Sequence, residues 1–357
     1  MSDFVKPEVR ALAAYTLRQY EYRHKLNQNE NPFGYPEDLK AKVLERVARA
    51  DWARYPSFDL AELRAKLAAH SGVTPEMVLV GNGSNELIYV TLAATLSRGD
   101  SVVIPVPTFT LYRLLSRVMG AAVHEVLMRP ADDFALPVDE VIETARRVQA
   151  KVVVLCSPNN PTGTPYPAGA VRRIAAESGA LVLVDEAYRE FSGQDFRPLL
   201  DEFDNVVLLR TFSKAMAMGG LRVGYALMRP ELAREVHKAK LPYALNLFSE
   251  AAALVALEHF ESHFVPLIET IRQERERLYR ALQEVPGLHV YPSAANFLLV
   301  RCEARPAREV FEYLVEEHGI LVRDVSAYPA LAEHLRISVG TPAENEALIE
   351  ALRALLG

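Results

Sequence analysis

Short, β-branched apolar runs recur along the first two-thirds of the chain: Met77 to Val80, Ser101 to Pro105, Lys151 to Cys156, Leu181 to Val184 and Val206 to Leu209. Each is too short for a helix and apolar throughout, which is the pattern of a strand buried on both faces. Stretches with helical spacing lie among them, at Glu37 to Ala50, Leu60 to His70, about Leu87 to Leu96, and Ala168 to Ser178. Strands alternating with helices predict an α/β fold, a mostly parallel sheet sandwiched by helices.

From about Ser249 the spacing changes. Ser249 to Phe260 and Val265 to Glu284 predict long helices with Glu and Arg on their outer faces, and Val285-Pro286-Gly287 breaks the run. Strands are expected at Asn296 to Val300, from Gly319 to Asp324 and at Leu335 to Thr341, with helices at Ala307 to His318 and Pro342 to Leu356. This reads as a smaller α+β domain. The expected organisation is an N-terminal arm with part of the small domain (1–45), a large domain (46–255) and a small C-terminal domain (256–357).

Composition narrows the function. The chain has 357 residues, half of them hydrophobic, and a net charge of −6. That is enough for a large core, and the acidic balance gives no footprint for nucleic acid or an anionic membrane. Two cysteines cannot build a disulfide framework, the N-terminus has no apolar h-region and no run spans a bilayer, so a cytoplasmic protein is expected. His259 and His263 stand four apart, but His259-Phe260-Glu261-Ser262-His263 is not H-E-x-x-H and no third ligand is evident, so no metal is expected.

The chemistry concentrates after the strand Val206 to Leu209. Lys214 sits among Phe212, Ala215, Met216 and Met218, where desolvation should favour the neutral, nucleophilic amine. Thr211, Ser213 and Arg222 offer what a phosphate dianion needs, and Gly219-Gly220 should prevent a regular helix. Gly81-Asn82-Gly83-Ser84-Asn85 joins a strand to a helix, so Ser84 and Asn85 either meet a phosphate at the helix N-terminus or cap the helix. Asn160, Asp185 and Lys214 each fall just past a predicted strand, where ligands of such sheets sit. Together these residues suggest pyridoxal 5'-phosphate. Lys214 would react with its aldehyde and Asp185 would pair with the ring nitrogen, unless that carboxylate is a helix cap or a surface ion pair. Tyr188 and Asn160 would hydrogen-bond the phenolic oxygen, and Phe109 would stack on the ring, unless it is a core aromatic.

Asn160-Pro161-Thr162-Gly163, Asp185 with Tyr188, and Ser213-Lys214 with Arg222 resemble the fold-type I pyridoxal-phosphate aminotransferases. Lys25-Leu26-Asn27 through Asn29-Glu30-Asn31-Pro32, Arg54-Tyr55-Pro56, Leu321-Val322-Arg323-Asp324 and Leu335 to Thr341 make the chain similar to the histidinol-phosphate aminotransferase family over nearly its whole length. That resemblance implies transamination between histidinol phosphate and 2-oxoglutarate. It implies a homodimer in which Tyr55 reaches the partner's cofactor phosphate. It also implies substrate contacts from Tyr20, Asn31, Arg323 and Arg336. The family's early Pro-Tyr-x-Pro-Gly segment is replaced here by Ala14-Tyr15-Thr16-Leu17-Arg18-Gln19-Tyr20. The competing readings are an aromatic amino-acid aminotransferase, a phosphothreonine-type decarboxylase and a binding domain that has lost catalysis; the intact Asn160, Asp185, Tyr188, Lys214 and Arg222 argue against the last.

Overall fold

The computed structural model describes residues 4–13 and 18–357. The chain enters a sheet at β1 (His24–Lys25), then forms β2 (Val78–Gly81), β3 (Ser101–Val106), β4 (Ala122–Leu127), β5 (Val152–Cys156), β6 (Leu181–Asp185), β7 (Val206–Thr211) and β8 (Gly224–Leu227). Strands β2 to β8 make a seven-stranded sheet in the order β2-β8-β7-β6-β5-β3-β4, in which β8 alone runs antiparallel to its neighbours. Side chains alternate between its two faces. Val153, Leu155, Val182, Val184, Val206 and Leu208 enter one core, while Val152, Val154, Leu183, Val207 and Leu209 enter another on the opposite face. Both faces are covered, which explains why these strands are apolar runs rather than alternating ones.

Two strands of this sheet leave little trace in the sequence. β4 is an edge strand with His124 and Glu125 at partly open positions, so it lacks an apolar run. β8 has four residues and opens on a glycine.

The second sheet is antiparallel, with β9 (Leu288–Val290), β10 (Phe297–Cys302), β12 (Arg323–Asp324) and β13 (His334–Ser338) in the order β12-β13-β10-β9. Between them β11 (Ile320–Leu321) pairs with β1 instead. The single strand expected from Gly319 to Asp324 is therefore divided, its first half held by the N-terminal arm and its second by β13. The closing helix, Pro342–Leu356, has its expected bounds and starts with a capping box in which Thr341 and Glu344 satisfy each other's backbone N–H.

The two cores change partners at points other than 45/46 and 255/256. Leu26 packs with the small sheet, whereas Tyr35 and the helix α1 (Glu37–Ala48), through Leu39, Val43 and Val47, already belong to the large core. The helix Val265–Gln283 serves both, with Ile268 and Ile271 in the large core and Leu278 and Leu282 in the small one. An unbroken helix carries no turn residue to mark such a change.

The carboxyl ends of the parallel strands gather at one edge, and β8 starts there with Gly224 in register with both Gly81 and Thr211. A side chain at Gly224 would collide with the backbone of Gly83 and Ser84, at the start of helix α2 (Ser84–Thr95). Gly224→Ala should lower folding stability by about 1–3 kcal/mol, the range for forcing atoms into a packed site. The measurement is the urea midpoint, with an unchanged m value; a midpoint equal to the parent's would show that the α2 terminus moves at no cost.

Candidate active site

A cavity of about 450 Å³ opens beyond this edge. Ser84, Asn85, Phe109, Asn160, Asp185, Tyr188, Thr211, Ser213, Lys214 and Arg222 line it from the large domain, and Arg323 and Arg336 from the small sheet.

One end is built for an anion. Gly83, at φ 78°, precedes α2 without a side-chain cap, so Ser84 and Asn85 are the first helical residues and not its caps. The N–H groups of that first turn and the helix dipole favour negative charge there. The hydroxyl of Thr211 donates to Ser213 Oγ at 3.0 Å, and Arg222 Nη1 donates to Ser213 Oγ at 3.3 Å and to Gly219 O at 3.0 Å. A Cβ on Gly83 would stand 2.5 Å from Arg222 Nη2, so the glycine lets the guanidinium close on the helix terminus. The chain turns at Ala217 (φ 53°) and Arg222 (φ 56°), which hold left-handed backbone, while Gly219 and Gly220 do not. A guanidinium, two hydroxyls and an uncapped helix N-terminus together suit a phosphate dianion.

The other end holds the reactive groups. Asp185, the last residue of β6, is buried; its Oδ1 accepts from Ala187 N at 3.0 Å and its Oδ2 from Tyr112 Oη at 2.7 Å. Tyr188 Oη accepts from Asn29 Nδ2 at 3.0 Å. Lys214 Nζ donates to Gln28 O at 2.7 Å. Arg336 Nη1 donates to Asn160 Oδ1 and its Nη2 to Asn27 O, both at 2.6 Å. Arg323 faces Arg336 directly across the β12–β13 ladder. Asp324, next to Arg323 in β12, accepts from Ser326 N at 2.9 Å, and Glu333 accepts from Ala307 N.

Three expected contacts lie outside this cavity. Tyr20 packs edge-on against Phe311 at 5.4 Å, beside the small core. Asn31 uses its amide on backbone, donating to Ala215 O and accepting from Phe33 N, each at 3.0 Å. Tyr55 is 81% exposed and stacks on Tyr243 with centroids 4.7 Å apart. Conversely, Gln28, Asn29 and Tyr112 touch the site without having been singled out. The first two lie in the polar loop from Asn27 to Asn31; Tyr112, three residues after Phe109 on the helix α3 (Leu111–Val118), is marked in the sequence only by its aromatic character. The histidine pair is placed otherwise, with His263 hydrogen-bonded to Asp38 at 3.0 Å.

The donor set accommodates pyridoxal 5'-phosphate, with an anion cradle at one end, a buried carboxylate at the other and an amine between arginines. Comparison with known proteins agrees. The family model for aminotransferase class I and II matches residues 24–352. The histidinol-phosphate aminotransferase of Chlorobaculum tepidum is 42% identical over 93% of this chain and 94% of its own length. That of Chlorobium phaeovibrioides is 40% identical over 99% and 97%. The crystal structure of histidinol-phosphate aminotransferase from Sinorhizobium meliloti in complex with pyridoxal-5'-phosphate superposes with a TM-score of 0.87 at 26% identity, covering 99% of this chain and 97% of that one.

Burial pushes the Lys214 amine down to about 7, helped by the positive charges of Arg336 and Arg222 and opposed by Glu30 and Asp185. Burial likewise pushes Asp185 up to about 6, held back by the hydrogen bonds from Tyr112 and Ala187 N. At neutral pH a large share of Lys214 is therefore a neutral amine while most of Asp185 is ionised. Because the unfolded lysine keeps its proton up to about 10.5, the parent gains stability as pH rises between about 7 and 10.5. Lys214→Met should thus stabilise the cofactor-free protein at pH 6, and the gain should shrink as pH approaches 10. Urea midpoints of both proteins at pH 6, 8 and 10 measure this; a pH-independent difference would mean that the amine is not depressed.

Proposed function

The chain belongs to the class I and II aminotransferases, and we propose that it transfers an amino group between histidinol phosphate and 2-oxoglutarate, giving imidazole acetol phosphate and glutamate in histidine biosynthesis. Its cofactor is pyridoxal 5'-phosphate, on the large domain of a fold-type I architecture. When bound, the cofactor supplies an aldehyde carbon that receives the amino group and a ring that takes up the electron pair released at the substrate carbon.

The remaining work falls to the chain's own side chains. Arg222, Ser213, Thr211 and the first turn of α2 bind the phosphate. Asp185 carries the negative charge that keeps the ring nitrogen protonated. Tyr188 Oη already accepts from Asn29, so its own O–H is available to donate to the phenolic oxygen. Asn160 is oriented the same way, since Arg336 occupies its Oδ1 and leaves its amide N–H groups to donate. Phe109 flanks the ring. Lys214, near neutrality at physiological pH, holds or releases the proton that moves at the substrate carbon.

Substrate recognition rests on one observation, the opposed pair Arg323 and Arg336 in the wall of the cavity that contains Lys214. Two adjacent guanidiniums repel each other, and a phosphate dianion or a carboxylate relieves that repulsion. An aromatic amino acid brings one carboxylate, with a single charge and fewer acceptor oxygens than a phosphate dianion, and so matches two guanidiniums less well; the aromatic aminotransferase reading is less well supported.

Two wider features belong to the same reading. A homodimer is supported by the exposed aromatic group around Tyr55, where Tyr243 stacks on Tyr55 and meets Phe58 edge-on and Trp52 stands 75% exposed. In the dimer Tyr55 serves the partner's cofactor phosphate, and Tyr20 and Asn31 remain candidates for substrate contact. A cytoplasmic setting is supported by two buried thiols, Cys156 and Cys302, that form no disulfide. Among the described residues no helix is long and apolar enough to cross a membrane.

Arg336→Ala should cut kcat/KM on the order of a hundredfold or more for both half-reactions, whereas Arg323→Ala should hurt histidinol phosphate more than glutamate. Single-turnover measurement of each half-reaction separates the cases. Wild-type turnover of phenylalanine well above that of histidinol phosphate would replace this reading with the aromatic one. Mixing Lys214→Ala with Tyr55→Phe should form hybrid dimers whose activity exceeds that of either variant alone. A fully active monomer at assay concentration, seen by sedimentation, would contradict shared sites.

A further inference from the structure

We propose that Tyr112 is a positioning residue for the transamination, its phenol fixing both the ionisation and the orientation of Asp185 so that the carboxylate is presented to the cofactor's ring nitrogen. The proposal rests on the reading of Asp185 given above. Tyr112 is 1% exposed and donates to Asp185 Oδ2 at 2.7 Å, while Ala187 N holds Oδ1 at 3.0 Å. Each carboxylate oxygen thus has one fixed protein donor, which prevents the group from rotating and leaves further lone pairs for a ligand. The donors come from independent elements, one from α3 and one from the turn after β6. The Tyr112 ring is itself held edge-on to Phe109, with centroids 5.6 Å apart and planes at 87°. Phe109 and Tyr112 therefore act on the same ligand in different ways, one at the cavity wall and one through the carboxylate.

Other groups around Asp185 do not replace this donor. Lys214 reaches toward Gln28 O. Glu186, on the same strand end, adds negative charge but is paired with Arg210 at 2.8 Å. Burial pushes the Cys156 thiol up to about 12, so it stays protonated and points its S–H at Pro158 O at 3.4 Å. The Tyr188 phenol accepts from Asn29 Nδ2, and its own O–H is the one assigned above to the cofactor's phenolic oxygen. Burial also raises the Tyr112 phenol well above its ordinary value, so it remains a donor across the working pH range. An ionised carboxylate can only accept, and a hydrogen bond to it favours the charged form.

Tyr112→Phe removes the hydrogen bond to Asp185, along with the phenol's contact with the Cys156 thiol, and keeps the ring and its packing. The test is to titrate pyridoxal 5'-phosphate into cofactor-free parent, Tyr112→Phe, Asp185→Asn and the double variant between pH 6 and 8.5. Loss of one charge-assisted hydrogen bond should weaken binding about fivefold at pH 6, with most of that loss regained by pH 8.5, where Asp185 ionises regardless and only the orienting contribution is missing. In the Asp185→Asn background the same substitution should change neither affinity nor its pH dependence. A Tyr112→Phe defect of equal size at every pH, or one that persists in the Asp185→Asn background, would mean a merely structural role and overturn the proposal. If Asp185→Asn alone binds like the parent throughout, the reading of Asp185 fails first and the proposal falls with it.

Discussion

Four cationic side chains, Lys214, Arg222, Arg323 and Arg336, share a cavity whose lining contains one carboxylate, Asp185. That surplus of positive charge is the constraint on which the rest of the site depends. In a partly desolvated space the cations repel, and the weakest holder of a proton yields. Arginine keeps its proton under any such pressure, so the lysine gives way. The same surplus makes the cavity unfavourable without ligands and receptive to dianions. Arg222 and the α2 terminus suit an anion at one end of the cavity, and the Arg323–Arg336 pair suits a second at the other. Burial does most to depress the lysine and the charge imbalance adds to it, while the same imbalance makes the cavity receptive to anions.

The loop from Asn27 to Asn31 turns that imbalance into a defined geometry. Its backbone carbonyls accept from Arg336 at Asn27 and from Lys214 at Gln28. Asn29, at φ 53°, is tied to Ser338 of β13 through its N–H and Oδ1 and to Tyr188 through its Nδ2. Asn296 Nδ2 holds the Asn29 carbonyl from the start of β10. One short segment thus contacts the lysine, the tyrosine and the small sheet at once. Carbonyl dipoles on the cations offset part of their desolvation without adding a charge that would compete with a ligand. Through Ser338 and Asn29 the small sheet that carries Arg336 is hydrogen-bonded to Tyr188 in the large domain.

What the sequence shows in advance follows from what burial does to it. Strands β5, β6 and β7 are buried on both faces, so their apolar runs mark them and the polar residue just beyond each run, Asn160, Asp185 or Lys214, points to the site. Arg323 and Arg336 lie on short strands of ordinary alternation and are recognisable mainly by resemblance. β4 and β8 are hard to see because an edge strand needs no apolar run and a four-residue strand offers too few positions for a period. Tyr112 is missed for another reason. Its role depends on a hydrogen bond to a residue 73 positions away, and nothing in its own neighbourhood distinguishes it from a core aromatic. Tyr55 has the opposite problem: it is exposed, and the role proposed for it requires a second copy of the chain.

Behind the cavity lies a charge pair that touches no ligand yet bears on the acid–base chemistry. Glu186 follows Asp185 directly, and two adjacent buried carboxylates would drive one another toward protonation. Arg210, on β7, meets Glu186 at 2.8 Å with both side chains sealed from solvent, and its other arm reaches Asp195 at 2.6 Å. Phe196 N adds a hydrogen bond to the Glu186 carboxylate at 3.0 Å. Such a pair is weak evidence for stability, because desolvation offsets most of its attraction. Its value here is electrostatic: it neutralises Glu186 on the far side of the strand end, so that Asp185 experiences a residual rather than a full neighbouring charge. Without that neutralisation the hydrogen bond from Tyr112 would have to counter both burial and an adjacent anion. With it, the bonds from Tyr112 and Ala187 N keep the Asp185 carboxyl near 6, low enough to be charged when the lysine beside it, near 7, is poised between its two forms.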